Sequence, residues 1–382
     1  MAAIEFDPIR LPDTAEELRK EVRAFIAEEK ASGLISDDQS GGFSAEFSEK
    51  VGAKGWIGMT WPKEYGGQER SFMDRYVVAE EFLLAKAPTR RHFVADRQSG
   101  PTIIKYGTAS IKEKILPQIV AGKACFGIGM SEPDSGSDLF AANTKATRTN
   151  EGYRINGRKV WTSNAHQADY LIALFRTSEP TSENRRHGLT NFIVDMTTPG
   201  ISTRPIRFPN GQHEFNEVLF DDVLIPDEMV LGVVDDAWKQ ATSELAYERS
   251  GSERFLETVH VLIELINVLG ENPDSRAAEG IGRLIAQLHT LRRMSVSVAG
   301  MLEEGKEPVV EGSIVKDLGT NWEQALPAKA RDLAAFIDDD LIDRGHFDSL
   351  LDYNTIIAPK LTIQGGTREI LRGIIARGLG LR

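Results

Sequence analysis

The chain has 382 residues, 41% hydrophobic and 27% charged, the composition of a folded globular protein with more than one domain. A formal charge of −12 at pH 7 argues against nucleic acid or an anionic membrane as the main partner, while leaving room for a local basic site for a phosphorylated ligand. The single cysteine, Cys125, excludes an internal disulfide and a thiolate metal cluster, and no metal is expected.

In chain order, Glu5 and Asp7 stand where an export signal would be basic and then apolar. No stretch has the roughly twenty apolar residues of a membrane span, so a cytoplasmic location is expected. Asp13-Thr14-Ala15-Glu16-Glu17 reads as a capped helix start, continued by Leu18, Val22, Phe25 and Ile26 at helical spacing. Trp61-Pro62-Lys63-Glu64-Tyr65-Gly66-Gly67 is a turn, and helices are expected at 75–85 and 110–120. From 123 to 232 the pattern changes to strands such as 153–156, 170–175, 191–195 and 215–223, with Gly152 and Asn156-Gly157 as hairpin turns. Beyond 232 the chain is helical again. Leu256, Val259, Ile263 and Ile266 form one apolar face of a helix that ends at Gly270, and further helices follow near 277–300, 314–336, 356–361 and 367–376.

Two stretches of the β region carry candidate chemistry. Cys125-Phe126-Gly127-Ile128-Gly129-Met130-Ser131-Glu132-Pro133-Asp134-Ser135-Gly136-Ser137-Asp138 is an apolar run that breaks into small and polar residues, where a flat or phosphorylated ligand can approach the backbone. About twenty-five residues on, Arg158-Lys159-Val160-Trp161-Thr162-Ser163-Asn164 is a strand with one aromatic and two hydroxyls.

Together these stretches resemble the flavin site of the acyl-CoA dehydrogenase family, its "TEPxxGSD" loop and "KxWITN" strand. Residues 61–67 resemble the family's "WPxxYGG" turn, and Tyr106-Gly107-Thr108 with Leu116-Pro117 its "GTxxQKxxxLP" pattern. The resemblance covers nearly the whole chain. It implies an α+β multidomain fold with an N-terminal all-α domain (1–122), a middle β-barrel domain (123–232) and a C-terminal helical bundle (233–382). It also implies FAD. The backbone of Ile128 and Met130 and the Ser131 hydroxyl would address the pyrimidine edge, Trp161 would stand beside the ring with Thr162, and Ser163 would bond near N5. Ser131 and Ser163 stand where the family usually has Thr, and the hydroxyl is kept. Ser137 would touch the CoA part of the substrate. Gly366 and Thr367 open a helix suited to a phosphate or pyrophosphate.

The family reaction needs a base for the α proton, an acceptor facing the β carbon and donors to the enolate oxygen. Many members carry the base in a C-terminal "YEGT" motif. Here that motif reads Ile363-Gln364-Gly365-Gly366-Thr367, so Gly365 stands where the Glu belongs and can act only through its backbone N–H. One subset of the family carries the base directly before an Arg on another helix, as in Ala246-Tyr247-Glu248-Arg249. Leu245, Glu248, Ser252, Phe255 and Val259 step by three and four, which sets Glu248 on a buried helix face. Burial raises a carboxyl's pKa toward a useful range. Arg249 would contact the substrate side. The neighbour-derived "RxxFG" segment and "QxxGGxG" loop that hold the ADP half of FAD in family homo-oligomers have no match at 272–280 or 315–322.

The expectation is an FAD-dependent acyl-CoA dehydrogenase subunit acting on a bulky, possibly sterol-derived acyl-CoA. It would pass electrons to an electron-transferring flavoprotein and pair with a second, dehydrogenase-like subunit in an α2β2 heterotetramer. An acyl-CoA oxidase and a noncatalytic structural subunit remain open alternatives.

Overall fold

The computed structural model describes residues 4–36, 42–237, 249–335 and 344–381. The N-terminal half carries helices α1 (Asp13–Ala31), α2 (Ala45–Ala53), α3 (Phe72–Leu84), α4 (Arg90–Val94), α5 (Gly100–Tyr106) and α6 (Ala109–Val120). Strands β1 (Phe126–Gly129), β2 (Lys145–Thr149), β3 (Gly152–Ser163), β4 (Tyr170–Arg176), β5 (Leu189–Asp195), β6 (Ile201–Arg207), β7 (His213–Ile225) and β8 (Val230–Leu231) follow. The C-terminal helices are α7 (Val259–Leu269), α8 (Ser275–Glu303), α9 (Val309–Ala334), α10 (Gly345–Leu361) and α11 (Arg368–Gly378). The chain thus runs helical, β, helical, as the family resemblance implies. Among the described residues no helix is long and apolar enough to cross a membrane, and no cluster of side chains could hold a metal ion.

Two compact units divide the chain. One comprises Met1–Asp38, Ser71–Ala87 and Leu245–Arg382; the other comprises Gln39–Arg70 and Pro88–Glu244. In the second unit the strands form one eight-stranded sheet in the order β6-β7-β3-β2-β4-β5-β8, with β1 parallel to β4. Strand β4 is buried along its whole length and reads as an unbroken apolar run, Tyr-Leu-Ile-Ala-Leu-Phe, as a strand covered on both faces must. Strand β7 has one covered face, and its burial alternates from His213 to Phe220. Asn150 and Glu151 turn β2 into β3, with Gly152 beside the turn at φ +136°. Asn156-Gly157 is not a second hairpin. It is a bulge inside β3, where the register against β7 slips between Ile155 and Gly157. Gly157 is needed there because a Cβ would fall 2.8 Å from the Thr144 side chain.

On the helical side of this unit, His92 is buried, stacked on Phe47, with Nδ1 2.9 Å from the Ser48 hydroxyl. Burial pushes its pKa down to about 4, outweighing the pull of Asp96. Between the unfolded value of 6.5 and about 4, the unfolded chain takes up a proton there and the folded chain does not. Stability tied to His92 is therefore present above pH 6.5 and is lost as pH falls through this window, by about 3 kcal/mol in all. Denaturant melts at pH 7 and pH 4.5 should show this drop, and His92→Gln should reduce it by about half or more.

In the other unit, α1 packs on α3, and α3 packs on α8. The core includes Phe255, Leu262, Leu265, Leu284, Trp322, Leu326 and Phe347. Arg19 of α1 and Arg292 of α8 both pair with Glu80 of α3, and Arg19 also reaches Glu81. Helix α1 begins behind Pro12 with no side-chain cap, so the expected capping box at Asp13 does not form. Side-chain caps form in this unit at Ser71, which accepts the Asp74 N–H at 3.0 Å, and at Asp274, whose carboxylate accepts the Ala277 N–H at 2.8 Å.

Two helical expectations fail here. Ile263 and Ile266 are each 38% exposed, and the buried face of α7 is Val261, Leu262, Leu265 and Val268. His260, Glu264 and Asn267, four and three residues apart, form a polar stripe that Ile263 flanks, so the face expected at Ile263 and Ile266 was set in the wrong phase. Nor is the described stretch from Arg249 to Val259 one helix. Ser250-Gly251-Ser252 are poor helix formers, and a 3-10 turn occupies Ser252–Arg254 before α7 begins. Ser252, Phe255 and Val259 are nonetheless all buried.

Candidate functional site

Strand β1 lies against β4, with Ile128 opposite Ile172. At its end the Met130 side chain packs on Ala142, Leu174, Leu189 and Ala237, and the half-buried Ser131 follows. Two bonds tie this end to β3. The Val160 N–H donates to the Ser131 carbonyl at 2.9 Å. The fully buried Lys159 donates from Nζ to the Met130 carbonyl at 3.2 Å and to Glu132 Oε1 at 2.7 Å. Glu132 also accepts the N–H groups of Asn143 and Thr144, at 2.7 and 3.0 Å. Burial presses the Lys159 pKa down to about 8 against the pull of Glu132. For Glu132, burial alone would raise the pKa, but Lys159 and the backbone donors hold it below the usual carboxylate value. The loop then closes on itself, Glu132 N–H to the Ser135 carbonyl at 2.6 Å and Ser135 Oγ to the Asp138 carbonyl at 2.8 Å, and carries Ser137 exposed.

The β3–β7 register slips again between Lys159 and Thr162. Trp161 sits in this bulge at φ +59°, with its ring 59% exposed and edge-on to Phe215 at 5.9 Å. A left-handed backbone at a bulky non-glycine residue is strained, and an exposed indole is unfavourable as well. Ser163 is half-buried beside it. Thr162 differs from the expectation of a cofactor contact. Its side chain is fully buried and its hydroxyl is unpartnered inside the protein, while its carbonyl accepts from Asn216 Nδ2 at 3.1 Å. Trp161 flanked by Ser131 and Ser163 fits a flat ring with polar edges: the ring would cover the indole, and the hydroxyls would meet the edge.

The C-terminal motif lies in the other unit. Gly365 and Gly366 have φ of +69° and +103°, and Thr367 is the N-cap residue of α11. Gly365 is therefore favoured by its backbone, and a side chain there, as in Gly365→Ala, costs about 1–2 kcal/mol of strain. Two buried cations hold this turn. Arg249 Nε donates to the Gly365 carbonyl at 3.3 Å, and Lys316 Nζ donates to the Gly366 carbonyl at 2.5 Å. Arg249 thus stands behind the glycine turn. Glu248, the expected base, lies outside the described residues.

The 315–322 stretch is the middle of helix α9, not a loop. Its Gly319 allows close packing, since a Cβ would fall 2.4 Å from the Arg254 carbonyl. Asp317 pairs with Arg368 and Arg372 of α11 at 2.8 and 3.5 Å. The missing match to a glycine loop at 315–322 thus falls inside the helix expected over 314–336. Sequence reasoning also missed Lys159 and Lys316 as organising residues. Both lysines stand beside another charged residue, Arg158 and Asp317, so their neighbours in sequence gave no signal of burial.

Comparison with known proteins fits this geometry. The family model for the acyl-CoA dehydrogenase N-terminal domain matches residues 12–123, and that for the middle domain matches 127–223. The acyl-CoA dehydrogenase IpdE1 of Mycobacterium tuberculosis is 32% identical over 96% of this chain and 97% of its own length. The acyl-CoA dehydrogenase FadE34 of the same organism is 34% identical over 86% of this chain, which spans 45% of that longer protein. Among solved structures, the Tcur3481-Tcur3483 steroid ACAD superposes with a TM-score of 0.82 at 27% identity, covering 98% of this chain and 99% of the other. The ChsE4-ChsE5 complex of Mycobacterium tuberculosis gives 0.83 at 28%, with the same coverage. FAD is the cofactor of this fold family, and the Ser131–Trp161–Ser163 surface suits its ring. By its sequence, its helical–β–helical fold and its relatives, the chain belongs to the acyl-CoA dehydrogenase family, oxidoreductases that act on CH–CH bonds.

Proposed function

We propose that this chain is the base-bearing subunit of an FAD-dependent dehydrogenase that converts a bulky, steroid-derived acyl-CoA to its trans-2-enoyl-CoA. The observation that carries the reading is Trp161, strained and exposed between two half-buried hydroxyls. A protein keeps such a residue where a ligand covers it. Bound FAD supplies the acceptor for the β hydrogen and its electron pair. The chain supplies the rest. Ile128, Met130 and Ser131 address the pyrimidine edge, Ser163 the far edge, and Trp161 the side of the ring. Glu248 takes the α proton, and the Gly365 N–H meets the thioester carbonyl as negative charge grows there. Arg249 and Lys316 hold the glycine turn from behind, so that donor is fixed before the reaction begins. Ser137, exposed on its loop, meets the CoA part, and Thr367 at the start of α11 suits a pyrophosphate.

The second subunit and the substrate class rest on similarity to the steroid ACAD structures. Apolar side chains available to a partner support the reading: Ile263, Ile266, Ile285, Leu318, Ile363 and Ile370 are all 38% or more exposed in the helical unit. An electron-transferring flavoprotein would take up the electrons. Incubating the purified complex with a steroid-side-chain acyl-CoA and an artificial acceptor should yield a product lighter by two hydrogens. An unchanged substrate mass across bulky acyl-CoAs would refute the reading. Peroxide formed without an acceptor would mark an oxidase instead.

A further inference from the structure

Lys159 is an expensive residue for its position. Its ammonium is fully buried, 5.5 Å from the Phe175 ring, and its charge is met by Glu132. Replacing such a pair with packed apolar side chains is often neutral or stabilising, so sheet stability alone does not account for it. What distinguishes the site is the other acceptor of Nζ, the Met130 carbonyl. The next carbonyl, that of Ser131, is held by the Val160 N–H. In a trans peptide the carbonyl and the following N–H point in opposite directions. The Ser131 N–H shares its peptide with the Met130 carbonyl and is therefore aimed away from Lys159. An ammonium on that carbonyl also polarises the peptide and strengthens the N–H as a donor.

We infer that Lys159 is a positioning residue for the flavin: it fixes the Met130–Ser131 peptide so that the Ser131 N–H meets the pyrimidine edge, and it strengthens that donor toward the charge the ring gains on reduction. This rests on the flavin-site reading above. Glu132 is its counter-ion, and its bonds to Asn143 and Thr144 anchor the pair to the chain entering β2.

The test is Lys159→Met in the complete complex with its partner subunit. Titration of the flavin-free variant should show FAD bound at least tenfold more weakly. The two-electron midpoint potential should fall by about 30 mV for each tenfold selective loss of the reduced form. The flavin reading itself is checked on the unaltered complex, which must hold FAD, so the two ideas fail separately. Methionine alone leaves the Glu132 charge buried and unpaired, so Lys159→Met with Glu132→Gln is the second variant and is read the same way. FAD affinity and potential unchanged in a folded variant would overturn the inference, whatever the thermal stability does. If neither variant folds, the pair is a pin of the sheet and the inference is equally overturned.

Discussion

Glu248→Gln is expected to keep its FAD and lose turnover by about a hundredfold or more. The amide matches the carboxylate in size and cannot take the α proton. The case for Glu248 is one of elimination followed by position. The motif that usually carries the base has a glycine at 365, and its φ of +69° shows a turn built for glycine rather than one that lost a side chain by chance. Glu248 directly precedes Arg249, which is 3% exposed and bonded to the carbonyl of that same Gly365. A carboxylate placed back at 365 would start from a strained backbone, so Gly365→Glu should not rescue the Gln variant. Turnover of Glu248→Gln within about threefold of the unaltered enzyme would show that another group is the base.

The second large effect concerns assembly. Produced alone, the chain should hold little FAD; produced with its partner, it should form a complex of four chains carrying two FAD. The residues proposed for the ring side, Ile128, Met130, Ser131, Trp161 and Ser163, all lie on one unit, but 272–280 holds no Arg-Phe-Gly segment, and Asp274 there caps α8. The pyrophosphate and adenine contribute charge-assisted hydrogen bonds and stacking, and losing those contacts costs affinity by about two orders of magnitude or more. The six exposed apolar side chains on and near α7, α8, α9 and α11 are the surface such a partner would cover. Native mass measurement decides the point. A stable homo-oligomer with one tightly held FAD per chain would remove the heteromer from the account.

Much of this was legible from the chain itself, and the reasons differ by residue. The two flavin stretches were readable because a strand that ends in Ser-Glu-Pro and a strand that carries Lys-Val-Trp are local patterns. The alternation of helical and β regions was readable from periodicity. What escaped depends on contacts between distant segments. Nothing near Lys159 in sequence shows that its amine ends on Met130, twenty-nine residues away. The left-handed backbone of Trp161 arises from a register slip against β7, so it belongs to the pairing and not to the residue. The outer position of Ile263 and Ile266 was overlooked because their spacing was followed without the polar stripe of His260, Glu264 and Asn267 that marks the outer side. The helix over 315–322 was readable as part of the expected 314–336 helix, whereas the close packing of Gly319 on Arg254 was not.

The most direct measurement is anaerobic mixing of the purified complex with a steroid-side-chain acyl-CoA while the flavin absorbance is followed. The account predicts that the visible flavin band bleaches in the unaltered complex as two hydrogens leave the substrate, and that Glu248→Gln bleaches at least a hundredfold more slowly. A complex that carries FAD and stays fully coloured with every bulky acyl-CoA supplied, or one whose bleaching is indifferent to Glu248, would contradict it.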